Sequence, residues 1–147
     1  MIRKFKSDDI DAVMTLWLEG NLCAHGFVDA KYWHSKYRAV KSEILSSEVY
    51  VYEHEKRICA FVGVREGHIE GLFTAGDLRS LGIGCLLLGE LKRHYDRLTL
   101  KVYEQNHRAV KFYTREGFSI ERMAIDKSTG AKEYVMVWER QKKERNG

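Results

Sequence analysis

The 147-residue chain contains no proline. No low-complexity stretch or repeat interrupts it, so nothing marks a linker, and a single domain over residues 1–147 is expected. Cysteine is scarce too: Cys23, Cys59 and Cys85 are odd in number, scattered, and form no Cys-x-x-Cys pair. That pattern excludes a disulfide framework and a structural zinc site. Cys59, between Ile58 and Ala60, is expected in the core. No apolar run approaches the roughly 18 residues of a membrane span. Met1-Ile2-Arg3-Lys4-Phe5 leads directly into strand-like sequence without a signal-peptide apolar region. A cytoplasmic location without a membrane partner is the expectation. The net charge of +4 is mild, and much of the excess lies in Arg140-Gln141-Lys142-Lys143-Glu144-Arg145. A mixed-sign end of this kind reads as a frayed tail over residues 140–147. A basic stripe with interleaved aromatics is missing, which argues against a nucleic-acid partner.

What is present is periodic. Ile2–Phe5 reads as a strand, and Ser7 suits the N-cap of a helix whose apolar face is Ile10, Val13, Met14 and Trp17. Asn21–Asp29 reads as irregular. A second helix carries Trp33, Tyr37, Val40 and Ile44 on one face. Strands follow at Val49–Tyr52, Ile58–Val64 and His68–Thr74, turning at His54–Arg57 and Gly67. The spacing of Ile83, Leu87, Leu91 and Tyr95 predicts a helix from about Gly82 to Tyr95. A strand at Leu98–Tyr103, a helix at Asn106–Glu116 with Gly117 in a left-handed cap, and strands at Phe118–Met123 and Glu133–Trp138 complete the order. Three strands joined by short turns, then strand–helix–strand, imply an α/β (α+β) fold with a mixed sheet covered by helices.

Two segments bear on chemistry. Arg79-Ser80-Leu81-Gly82-Ile83-Gly84-Cys85 leaves a strand and opens an apolar helix. Helix starts expose unpaired N–H groups, the dipole there favours an anion, and glycine admits close approach. A plain strand-to-helix turn with glycine for packing fits the same residues. A P-loop does not, because Cys85-Leu86 follows Gly84 in place of Lys-Ser/Thr; a dinucleotide fingerprint would need a small residue at Leu87. The second segment, Asn106-His107-Arg108-Ala109-Val110-Lys111-Phe112-Tyr113, places a phenol one helix further on. Asn106 suits an N-cap, and Tyr113 could equally be a core aromatic.

Arg79-x-x-Gly82-x-Gly84 and Asn106-x-x-Ala109-x-x-Phe112-Tyr113, followed by Gly117-Phe118, resemble the acyl-CoA motifs of the GNAT N-acetyltransferase superfamily. Within it, Trp17…His25-x-Phe27…Tyr32 and Glu104-Gln105-Asn106 are similar to small bacterial members of the YjaB and YiaC type. Departures exist: Ala75-Gly76 stands where relatives often carry Asp-Pro, and Ser80 where they carry Gly, so the loop should be less rigid. The resemblance implies a mostly antiparallel sheet of about seven strands flanked by four helices, with strands 4 and 5 splayed. It implies acetyl-CoA as co-substrate, its pyrophosphate on Arg79, Ser80, Leu81, Gly82, Ile83, Gly84 and Cys85. Leu72, Phe73 and Thr74 would pair with the pantetheine arm and help to hold the oxyanion. Asn106, Ala109 and Phe112 would face the cofactor.

The implied reaction is direct attack of a primary amine on the thioester in a ternary complex. The acceptor implied is a protein lysine or N-terminus, with a small amine as runner-up. By resemblance, Tyr113 is the general acid; a phenol with pKa near 10 holds its proton at neutral pH. Some relatives use a glutamate base at the position of Lys101, which cannot serve in that way. Glu70 is the substitute, and His25 a second candidate. Trp17, His25, Phe27, Tyr32 and Trp33 are the acceptor-side aromatics, with Trp17 and Trp33 expected in the core. A non-catalytic acyl-CoA sensor, monomeric or homodimeric like the enzyme, would share the glycine turn and differ at Tyr113 and the base.

Overall fold

Two tight turns organise the middle of the chain. Glu55-Lys56 and Glu66-Gly67 all adopt left-handed conformations, with φ of 49°, 66°, 50° and 81°. Two successive left-handed residues match the twist of a hairpin. They fold β2 (Glu48–His54), β3 (Arg57–Arg65) and β4 (His68–Thr74) into an antiparallel meander. This computed structural model describes residues 1–141. Its other elements are β1 (Ile2–Lys4), α1 (Ile10–Ala24), α2 (Ala30–Ser46), α3 (Ile83–His94), β5 (Arg97–Tyr103), α4 (His107–Arg115), β6 (Ser119–Ile125) and β7 (Lys132–Glu139). They form one seven-stranded sheet in the order β1-β2-β3-β4-β5-β7-β6.

Every neighbouring pair is antiparallel except β4 and β5, which are parallel and joined through α3. A parallel pair needs such a crossover. The helices cover both faces. One core packs α1 and α2 through Val13, Met14, Trp17 and Trp33 onto Val49, Val51 and Phe61. The other packs α3 through Ile83, Leu87, Leu88 and Leu91, with Tyr113 of α4, onto Val62, Leu98 and Leu100. Trp17 and Trp33 are core residues, as is Cys59.

The β4–β5 pairing is brief. His68 faces Thr99 and Ile69 faces Leu100, and the register ends there. On the other edge of β4, Gly71 pairs with Gly63 but Ile69 with Val64, so Glu70 is the extra residue of a β-bulge. A bulge bends its strand and increases its twist. Beyond it β4 follows β3 to Thr74, whereas β5 follows β7 to Tyr103. The splay between strands 4 and 5 therefore starts at Glu70.

Two local expectations are corrected. Ser7 does not cap α1: it opens a single 3-10 turn, Ser7–Asp9, and the helix starts at Ile10. Asp9 directs this start, accepting the Lys6 N–H at 2.8 Å and gripping the Arg3 guanidinium with both oxygens at 2.8 and 2.9 Å. Nor is Asn21 the start of an irregular segment, because α1 continues to Ala24. The Asn21 side chain donates to the Trp17 carbonyl one turn back, at 2.9 Å, and so stays within the helix. At the other end of the chain Arg140 is held, its backbone N–H on Asp96 O at 2.8 Å and its guanidinium on the Asp96 carboxylate at 2.9 Å. The rest of the expected tail, residues 142–147, lies outside the described residues.

Helix α1 lies unusually close to the splayed strand. A Cβ at Gly20 would sit 2.5 Å from the Phe73 ring. Alanine there gains about 1 kcal/mol of helix propensity but forces a ring wedged between α1 and β4 to move, at about 1–3 kcal/mol. Gly20→Ala is expected to lower stability in urea denaturation by about 1 kcal/mol, and adding Phe73→Leu should recover most of it.

Candidate active site

The splay opens a cleft of about 640 Å³ between β4, the start of α3 and one side of α4. Its wall on β4 is Leu72, Phe73 and Thr74, the residues that have left β5 behind. Their backbone groups on that edge have no neighbouring strand to pair with. An extended, amide-containing chain can take the vacant edge.

The turn into α3 forms the second wall. After Thr74 the chain makes a 3-10 turn at Gly76–Leu78. The Arg57 guanidinium forks onto Asp77 there, at 2.9 and 3.1 Å, tying the turn to β3. This pair and the bond from Ala75 N–H to Cys59 O at 2.8 Å organise a loop that lacks the relatives' proline. Ser80 and Gly82 are left-handed, with φ of 72° and 83°. Gly82 is the N-cap of α3, and the first helical bond runs from Leu86 N–H to Gly82 O at 3.1 Å. The amides of Ile83, Gly84 and Cys85 therefore have no intrahelical acceptor and point out of the helix start. Open space surrounds the missing Cβ of Gly82, whereas a Cβ at Gly84 would meet the Phe112 ring at 3.2 Å. Gly84 thus also serves the close approach of α3 to α4.

Helix α4 supplies the third wall, and both of its ends are clamped. Asn106 Oδ1 accepts the Ala109 N–H at 3.3 Å. At the other end Gly117, with φ of 96°, closes a Schellman arrangement: Phe118 N–H reaches Tyr113 O at 2.9 Å and Gly117 N–H reaches Thr114 O at 3.1 Å. Tyr113 lies between these clamps, 7% exposed and lining the cleft. Its hydroxyl makes no hydrogen bond among the described residues. Burial pushes its phenol above the ordinary tyrosine value, so it stays protonated across the neutral range.

The cleft is cationic at its mouth. Arg79, Arg108, Lys111 and Arg115 line it, and Arg108 donates to Ser80 Oγ at 2.9 Å, bridging α4 to the glycine turn. Sequence reading did not single out the three α4 cations, although their spacing of three and four residues was available as a signal.

Nearly all the predicted cofactor residues come together here: Leu72, Phe73, Thr74, Arg79, Ser80, Gly82, Ile83, Gly84, Cys85, Asn106, Ala109 and Phe112 line the cleft with Tyr113. Leu81 does not; its side chain is 67% exposed outside the lining. Glu70 is not brought in either. As the bulge residue it lies outside the cleft lining, and Arg65 Nε holds its carboxylate at 3.1 Å.

His25 lines the cleft but is not available as a base. The Asn21 amide nitrogen is committed to Trp17 O, so its oxygen faces His25 Nδ1 at 2.9 Å and requires a proton there. Asn106 Oδ1 is committed to Ala109, so its NH2 faces His25 Nε2 at 3.1 Å and occupies the lone pair. The ring is neutral, 9% exposed, and burial pushes its pKa down to about 4. Next to it stands a wall of aromatic rings. His25, Phe27, Trp33 and Tyr103 interlock with centroid separations of 4.9–6.5 Å, and the Tyr103 hydroxyl donates to Asp126 at 2.6 Å.

A cleft with a vacant strand edge on one wall and orphan amides among arginines on another suits a long, amide-containing carrier that ends in phosphates. A protonated phenol in the same cleft suits protonation of a carrier that departs as its acyl group is transferred, so the class is an acyltransferase. The acetyltransferase (GNAT) domain family model matches residues 21–136. Peptidyl-lysine N-acetyltransferase YiaC of Escherichia coli (strain K12) is 30% identical over 140 residues, 94% of this chain and 96% of that protein. Peptidyl-lysine N-acetyltransferase YjaB of the same strain is 27% identical over 120 residues, 81% of this chain and 82% of that one. The solution structure of apo-form YjaB from Escherichia coli superimposes with a TM-score of 0.85 at 23% identity, covering 96% of this chain and 98% of that chain. The chain belongs to the GNAT acetyltransferase family. No described helix is long and apolar enough to cross a membrane.

The neutral His25 makes stability depend on pH. Its pKa is about 4 in the folded chain and about 6.5 when unfolded. As pH falls below about 6.5 the unfolded chain takes up a proton that the folded chain refuses, so stability drops between about pH 6.5 and 4. Urea midpoints measured across that window should fall for the native sequence and fall less steeply for His25→Gln.

Proposed function

We propose that the chain transfers the acetyl group of acetyl-CoA to a primary amine of a protein lysine or N-terminus, by direct attack in a ternary complex. The observation that carries this reading is the position of Tyr113: a buried, protonated and unbonded phenol in the same cleft as the amide-lined turn of α3. The pyrophosphate lies on the amides of Ile83, Gly84 and Cys85, which offer unpaired donors at the positive end of a helix dipole. Arg79 and the α4 cations neutralise the remaining charge. The pantetheine arm extends along Leu72–Thr74 and takes the hydrogen bonds that β5 leaves vacant. This delivers the thioester to the Tyr113 end of the cleft. As the tetrahedral intermediate collapses, the C–S bond breaks and the Tyr113 hydroxyl protonates the departing sulfur.

The acceptor approaches from the opposite side, between the aromatic wall at Phe27 and Tyr103 and the hairpin that carries Asp126 and Glu133. Glu133 pairs in register with Tyr103, and burial with the nearby Asp126 raises its pKa. An aromatic face flanked by carboxylates suits a cationic amine on an aliphatic stem. The two Escherichia coli relatives bear names that specify peptidyl-lysine, which favours a protein acceptor. With Glu70 outside the cleft and His25 fully bonded, the amine proton leaves to water. The activity should then rise with pH toward the pKa of the acceptor amine itself.

Binding and chemistry separate cleanly in two variants. Gly82→Asp places a carboxylate in the open space of the phosphate turn, on a residue type that tolerates left-handed backbone. Calorimetry should show acetyl-CoA affinity reduced at least about tenfold by like-charge repulsion, and unchanged affinity would remove the turn from the site. Tyr113→Phe fills the same volume and deletes only the proton donor. In an assay on lysine and N-terminal peptides, kcat should fall about 10²–10⁴-fold with the acetyl-CoA dissociation constant nearly unchanged. Turnover equal to the native chain would exclude Tyr113 from the mechanism.

A further inference from the structure

The His25 ring does more than fill space. It is the middle of an unbroken chain of hydrogen bonds from one helix layer to the other: Asn21 to Trp17 O at 2.9 Å, His25 Nδ1 to Asn21 at 2.9 Å, Asn106 to His25 Nε2 at 3.1 Å, and Ala109 N–H to Asn106 Oδ1 at 3.3 Å. Asn21 and His25 are 4% and 9% exposed, so leaving either partner unmet is costly. Each bond also dictates the direction of the next, because both asparagine amides have their other end committed. Asn106 caps α4, and Tyr113 lies seven residues further along, on the same helix face. The His25 ring touches the acceptor-side wall as well, with Tyr103 at 4.9 Å and Phe27 at 5.7 Å between centroids.

We propose that His25 is a positioning residue, which through Asn106 sets the N-terminus of α4 and thereby the register of Tyr113 against a ligand in the cleft, coupling it to the acceptor-side wall. Nothing in this role requires His25 to gain or lose a proton. Its task is to present an acceptor at Nε2 and a donor at Nδ1, 81 residues away in sequence from the helix cap it orients. The kinetic part of the proposal rests on the acetyltransfer reading above; the structural part does not.

The two ring nitrogens can be imitated separately, which makes the role testable. In His25→Gln the side-chain oxygen takes the place of Nε2, so the bond from Asn106 is kept. His25→Asn imitates Nδ1, keeps the bond to Asn21 and abandons Asn106. Loss of side-chain volume is greater in the asparagine variant, so stability is measured alongside. The expected result is a fall in kcat of at least about tenfold for His25→Asn, the scale at which misplaced catalytic groups act, with recovery in His25→Gln. Amide exchange at Ala109 should quicken in His25→Asn alone. Equal behaviour of the two variants, in kcat and in Ala109 exchange, would overturn the proposal. If the native chain acetylates no amine, the exchange measurement still decides the structural part while the acetyltransfer reading falls.

Asn106→Asp provides the test should His25→Asn not fold. Aspartate still caps α4 but has no N–H to offer, so Nε2 must carry a proton to bond it. Ring ¹⁵N shifts should then report an imidazolium at neutral pH in Asn106→Asp and a neutral, Nδ1-protonated ring in the native chain. A neutral ring of the same tautomer in both would show that Asn106 does not bond Nε2, and the proposal would fail.

Discussion

The release of β4 from β5 after two residue pairs is the constraint on which the rest of the structure depends. A parallel pair that continued would have closed the sheet and left no edge for a ligand. The bulge at Glu70 prevents this by adding one residue to β4 opposite the Gly63–Val64 step. The strand then turns with β3, and its far edge becomes a wall of the cleft. The same departure carries the chain to the start of α3 on one side of the opening, while β5 carries it to the start of α4 on the other. Strand edge and two helix starts therefore converge at one place because a single ladder stops early.

What occupies the opening is decided by helix ends. The α3 start has a left-handed glycine at its N-cap and no side-chain cap, so its first amides have no competing acceptor. The α4 start is instead filled by its own asparagine. Its N–H groups are partly satisfied internally, and its contribution is the placement of side chains along one face. With a side-chain cap at one end and a Schellman closure at the other, that short helix has little freedom to shift Tyr113. Burial raises the energy of a phenolate there, which keeps the proton on the oxygen across the neutral range.

Polar groups beside the aromatic wall are used for structure before chemistry. His25 has the residue type of a base and the surroundings of a connector. Two committed asparagines and a shell of aromatic rings leave it without a vacant lone pair. Tyr103, beside it, spends its hydroxyl on Asp126. The result is a rigid aromatic wall with carboxylates at its rim, a surface that fits the amine acceptor proposed above without supplying a strong base inside the cleft.

Local rules in the sequence were sufficient for most of this. Periods of two and 3.6, the glycine turns and the Gly117 cap determined the element order, because each depends only on residues within a few positions of one another. The glycine turn and the Asn106–Tyr113 helix were legible for the same reason. Glu70 and His25 were not. Glu70 alternates like any strand residue, and only the pairing of β3 with β4 shows that it is the bulged one, ion-paired to Arg65 outside the cleft. His25 looks like a loop histidine beside a glycine until Asn106, distant in sequence, closes on its ring. Whether an ionisable group is free, paired or buried depends on neighbours brought by the chain from elsewhere, and that is set by tertiary contact alone.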